Sequence, residues 1–100
     1  MVFYNVTIHI RKEQAEAWQA WMKTVHIPDV MATGLFEEHR FCRVLNLDDE
    51  EYSTFSIQYA CADMAALHRY QVQHAPRLQQ EHTERYRDQF LAFRSIMETV

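Results

Sequence analysis

Twice in this chain a helical stretch runs into the same three-residue device, His26-Ile27-Pro28 and His74-Ala75-Pro76, 48 positions apart. Proline disfavours helical geometry in the residue before it and itself suits the first turn of a new helix. Each site is therefore predicted to close one helix near the histidine and open another. The strands echo one another as well: Val6-Thr7-Ile8-His9 is answered by Phe55-Ser56-Ile57-Gln58, 49 positions on. Two βαβ halves with matched interruptions are the pattern of a split-βαβ fold with pseudo-twofold symmetry.

The elements between these marks follow from periodicity. Residues 3–10 alternate, with Tyr4, Val6, Ile8 and Ile10 against Phe3, Asn5, Thr7 and His9, which predicts a strand with one apolar face. From Lys12 the period changes, because Ala15, Trp18, Trp21, Met22 and Val25 share one side of an amphipathic helix. That helix is expected to stop near His26, and a short one to follow from Pro28 to Ala32. Gly34, the only glycine, is placed to end it in the left-handed conformation. Residues 36–46 read as a strand, Asp48-Asp49-Glu50-Glu51 as a solvated turn, and 52–61 as a strand pairing back in a hairpin. Asp63 caps a helix interrupted at His74, a further helix runs from Pro76 to Arg87, and Phe90–Met97 form the last strand. The predicted class is α+β: a ferredoxin-like βαββαβ domain over residues 1–100, with a four-stranded antiparallel sheet and helices on one face.

That architecture sorts side chains into two sets. The helix-covered face should receive Val6, Ile8, Ile10, Phe55, Ile57 and Tyr59. The opposite face carries Asn5, Thr7, His9, Ser56 and Gln58, polar groups in the middle of central strands. They are candidates for lining a ligand cavity where two sheets pack together. If Arg43 and Arg94 also point there, the ligand is expected to be an anion such as a carboxylate.

Other chemistries are disfavoured by what the chain contains. Fourteen acidic residues against ten basic ones leave a net charge of −4, unsuited to phosphate backbones, and no nucleic-acid partner is expected. Arg69, Arg77, Arg85 and Arg87 are interleaved with Glu81, Glu84 and Asp88, as on a solvated helix face. A single glycine rules out Gly-rich phosphate loops. There is no apolar run of membrane-spanning length, and the first residues lack the layout of a signal peptide, so the cytoplasm is the expected location and no membrane partner is expected. Cys42 and Cys61, without Cys-x-x-Cys spacing, are expected to be small buried hydrophobes. Six histidines form no metal-ligand spacing, and neither a metal nor a cofactor is expected. His26 and His74 are expected to bond the carbonyls freed where proline breaks each helix. The functional alternative is that His26, near Asp29, faces a pocket as a general base or polar anchor. Trp18 and Trp21 have the spacing of a buried stripe.

Tyr4-Asn5-Val6-Thr7, Trp18-x-x-Trp21-Met22, the segment His26-Ile27-Pro28-Asp29-Val30-Met31-Ala32-Thr33-Gly34, His74-Ala75-Pro76 and Phe93-Arg94 together resemble a small bacterial family described as a domain of unknown function. The resemblance spans nearly the whole chain, and His-Ile-Pro-x-Val-x-Ala-Thr-Gly is its most specific part. It implies the dimeric α/β-barrel variant of the ferredoxin-like fold, in which two sheets pack face to face, and it implies no activity. Other barrels of this kind include cofactor-independent monooxygenases, haem-degrading enzymes, isomerases and amino-acid-sensing domains. The leading expectation is a homodimer holding a small ligand between its sheets. Two alternatives stay open: a cofactor-independent isomerase or monooxygenase using His9 or His26, and a purely structural module.

Overall fold

A computed structural model describes residues 1–100. Four strands, β1 (Val2–Arg11), β2 (Glu38–Arg43), β3 (Tyr52–Cys61) and β4 (Phe90–Glu98), form one antiparallel sheet in the order β2-β3-β1-β4. The echoing segments of the two halves are hydrogen-bonded neighbours at its centre, Val6 opposite Ile57 and Ile8 opposite Phe55. The helices α1 (Ala15–Trp21), α2 (Ile27–Met31), α3 (Met64–Gln73) and α4 (Ala75–Arg85) supply the rest of the ferredoxin-like α+β fold. Trp18, Met22, Ile27, Val30, Leu67, Tyr70 and Leu78 from the helical segments join Ile8, Ile10, Phe55, Ile57 and Tyr59 from the sheet in one buried core. No helix is long and apolar enough to cross a membrane.

The two His-x-Pro sites behave differently. At His74 the backbone leaves the helical region (φ −128°, ψ −38°) and α3 truly ends. At His26 the predicted stop does not occur, since His26 (φ −69°, ψ −52°) and Ile27 (φ −63°, ψ −44°) both stay helical. The segment Met22–His26 widens into a π turn that carries α1 into α2 without a break. Proline lacks an N–H and crowds the carbonyl one turn back, and a locally widened helix absorbs both defects without ending.

Local signals account for several boundaries. Asp63 caps α3 by accepting from the Ala66 N–H at 2.9 Å. Strand β2 is shorter than the predicted 36–46. The acidic run behind it folds into a tight turn, in which Asp49 Oδ1 accepts from the backbone N–H groups of Glu51 and Tyr52 at 2.8 and 2.7 Å. These bonds hold the Asp49 carboxyl below its ordinary range. Gly34 sits at φ +76°, the predicted left-handed terminator, with open space where a Cβ would be. Gly34→Ala should therefore cost about 1 kcal/mol through backbone strain alone, read from a urea midpoint, and Gly34→Asn distinctly less. Equal stability of Gly34→Ala and the parent would contradict this.

Candidate functional site

Strand register places the predicted site residues in two separate regions. On the open face, Asn5 pairs opposite Gln58, Thr7 opposite Ser56 and His9 opposite Thr54. These groups largely bond one another. Ser56 donates to Asn5 Oδ1 at 2.6 Å, Asn5 Nδ2 donates to Thr7 and Ser95 hydroxyls, and His9 Nδ1 lies 2.8 Å from the Thr54 hydroxyl. Along the adjoining β4 the same face is apolar, with Leu91 55% and Phe93 62% exposed.

Arg43 and Arg94 do not join that stripe. Arg94 is opposite Val6, and Arg43 is opposite Phe55 with its guanidinium 4.8 Å from that ring, so both belong to the helix-covered side. Their registers differ by one residue from what the open face would need, and in a strand one residue is the whole difference between faces. His26 also lies on the helix side. The expected carbonyl bond at His26 is absent; its Nδ1 is buried without any partner. Cys42 is exposed rather than buried, since β2 is an edge strand and its outer face is uncovered, whereas Cys61 is buried as expected; neither forms a disulfide.

Between sheet and helices lies a cavity of about 40 Å³, lined among others by Tyr4, His26, Tyr70, His82, Thr83 and Arg94. That volume admits roughly two or three waters or the tip of a ligand. It shares Tyr4, Gln79 and Arg94 with an open depression of about 370 Å³, bounded also by Gln71, Pro76 and Ile96. Arg94 thus stands where an inner chamber meets an outer one. It has no carboxylate partner, the ion pairs of the protein being Lys12–Asp48 and Arg77–Glu81. Neither chamber has an aspartate or glutamate in its lining.

The inner wall is an aromatic and imidazole cluster. Trp18 Nε1 donates to His82 Nε2 at 2.9 Å; the rings of His26 and His82 are 5.6 Å apart, Trp21 stacks on His26 at 5.2 Å, and Phe90 meets His82 edge-on at 4.4 Å. Burial pulls His26 from its ordinary 6.5 down to about 4; Asp29 opposes that shift and Arg94 adds to it. Burial likewise pulls His82 down to about 3, with the charge of His26 and then of Arg94 adding to the shift. Burial pushes the Tyr59 and Tyr70 phenols up, so both remain protonated hydroxyls. His82 is the residue that sequence reasoning misses, since the histidine spacings bear only on metal binding. The available signal is its place on the buried stripe Ala75, Leu78, His82 and Tyr86 along and just beyond α4.

A family model described as "Domain of unknown function (DUF4286)" matches residues 1–100. The chain belongs to this family. No curated protein matches the sequence. Solved structures match over essentially the whole chain. A dimeric ferredoxin-like protein from an uncultured marine organism has a TM-score of 0.74 at 10% identity, covering 100% of this chain and 95% of that one. HapK from Hahella chejuensis has a TM-score of 0.72 at 13% identity, covering 100% and 93%. SnoaB, a cofactor-independent oxygenase from Streptomyces nogalater, has a TM-score of 0.64 at 14% identity, covering 98% and 91%. At these identities the likeness establishes that this family member has the ferredoxin-like fold and says nothing of activity.

Proposed function

We propose that this protein binds a small organic anion in the helix-side cavity and its mouth, as a homodimer joined through the open sheet face. The observation that carries the reading is Arg94, a guanidinium without a carboxylate partner at the junction of two chambers, neither with an acidic residue in its lining, in a chain that has 14 acidic residues. Such a cation attracts and orients a carboxylate. Binding is favoured over proton abstraction because histidines with pKa values near 4 and 3 are weak proton acceptors at neutral pH.

Titration with acetate, butyrate and benzoate, followed by two-dimensional NMR, is expected to move resonances of Arg94, Gln79 and His26 saturably. Arg94→Gln should weaken the effect about tenfold. Shifts confined to Asn5, His9 and Gln58 would place the ligand on the open face instead, and no saturable shift would sink the anion reading.

Support for the dimer comes from the exposed Leu91, Phe93 and Met97 on β4, an apolar strip that a second sheet would cover. A structural neighbour is described as a dimeric ferredoxin-like protein. Native mass spectrometry should show a dimer, converted to monomer by Phe93→Glu. A parent chain that is already monomeric at micromolar concentration would refute the assembly.

A further inference from the structure

Resting on the homodimer reading, we infer that the open sheet face holds a second site, for an α-amino acid with an apolar side chain, which the second copy covers. A depression of about 320 Å³ lies at one end of that face, beside β2. Strand register fixes the side chains that belong to it. Glu38 is opposite Ala60, Ala60 opposite Phe3, and Phe3 opposite Met97; two residues along β2, Arg40 is opposite Gln58. Residues directly opposite share a face, as do residues two apart on one strand, so all six stand on the side of the polar stripe. All six line the depression. His39, which also borders it, is opposite Tyr59 and belongs to the helix-covered side.

The depression therefore carries two opposite charges, and neither is paired within the chain, whose ion pairs are Lys12–Asp48 and Arg77–Glu81. Asn5, Thr7, His9 and Ser56 are bonded to one another or to neighbouring hydroxyls, which leaves the Gln58 carboxamide as the free member of the stripe. Charges in water need no partner, but under a second sheet they do, because a covered charge gives up its hydration. Met97 belongs both to the depression and to the apolar strip on β4, so a copy packed on that strip reaches over the depression. Residues two apart on a strand are separated by about 7 Å. In an α-amino acid a single carbon joins the ammonium and the carboxylate, and with hydrogen bonds of about 2.8 Å at either end it spans a gap of that order. Arg40 takes the carboxylate, Glu38 takes the ammonium, and the Gln58 amide can serve either. Phe3, Ala60 and Met97 give the ligand's side chain an apolar bed. A simple carboxylate leaves Glu38 unanswered, and a simple amine leaves Arg40 so.

Leucine, isocaproate and isoamylamine share one carbon skeleton and separate these contributions. Affinities read from the amide resonances of Gln58 and Ala60 are not confused by an acid bound at Arg94. Leucine is expected to bind the parent protein about tenfold more tightly than either analogue. Glu38→Gln should bring leucine down to the level of isocaproate, and Arg40→Gln to that of isoamylamine, with both variants still dimeric by native mass spectrometry. Equal affinity for the three, or no saturable shift at Gln58 and Ala60 in a dimeric parent, would overturn the inference and leave the dimer standing. Dissociation of the dimer by either charge variant would mean that Glu38 and Arg40 answer one another across the two copies, which would overturn it as well. A monomeric parent would remove the covering sheet, and both readings with it.

Discussion

Between pH 6.5 and pH 4 the protein is expected to lose several kcal/mol of folding stability, with the loss beginning well above the range in which carboxylates titrate. The cause is the buried pair His26 and His82, whose folded pKa values of about 4 and 3 lie below the ordinary 6.5. Below pH 6.5 the unfolded chain takes up protons that the folded chain refuses, so stability falls as pH falls. A tenfold difference in proton affinity between the two states corresponds to about 1.4 kcal/mol, so each histidine withdraws roughly 3 kcal/mol by pH 4. The rings repel once charged and the two contributions are not independent, so their sum is not fixed by the two values, yet several kcal/mol is a large share of the stability of an ordinary domain. Of the charged groups acting on the pair, Arg94 adds to the effect and Asp29 opposes it. Asp48, held below its ordinary 3.8 by hydrogen bonds from Lys12 and Ser53, contributes only at lower pH and from an exposed turn. Urea midpoints at half-unit steps of pH, read by far-ultraviolet circular dichroism, check this. The double variant His26→Gln, His82→Gln should flatten the dependence between pH 6.5 and 4 whatever its starting stability. An equally steep dependence in that variant would show that other groups are responsible.

Trp18→Ala is expected to be the most damaging single substitution, at about 4 kcal/mol or more. Trp18 is 0% exposed and packs on Phe41 and Phe55, so truncation opens a large cavity in the centre of the core. It also strands His82 Nε2, an acceptor buried with no other donor, which adds a further cost. Trp21→Ala should cost roughly half as much, because Trp21 is only half-buried and gives up stacking on His26 and the Arg85 guanidinium 5.5 Å from its ring rather than a hydrogen bond. Urea midpoints of the two variants measured side by side give the comparison. Similar losses for both would mean that the indole bond to His82 contributes little.

The two tryptophans also mark how far the sequence can be read. Their helical spacing places both on a buried stripe, and it does so without revealing what the indole N–H will find. His82 lies 64 positions from Trp18, and no periodicity links them. The break at His74 is readable, since a proline there ends α3 as expected. The continuation at His26 is not, because whether a helix stops or widens at proline depends on what packs along it. The polar stripe Asn5, Thr7, His9, Ser56 and Gln58 does share one face, as its alternation predicts. Its members bond largely to one another, which reduces their availability to a ligand.

The order of elements, the left-handed Gly34, the Asp63 cap and the faces of the two central strands were determined by the sequence alone. These depend on local geometry: alternation in strands, the helical repeat, and the conformational limits of glycine and proline. The side taken by Arg43 and Arg94 was decided only by the tertiary structure, because strand register is set by pairing with β3 and β1 and a slip of one residue reverses the face. The meeting of His26 and His82, from different halves of the chain, was decided there too, because it takes the whole sheet to bring the π turn and α4 against the same few side chains.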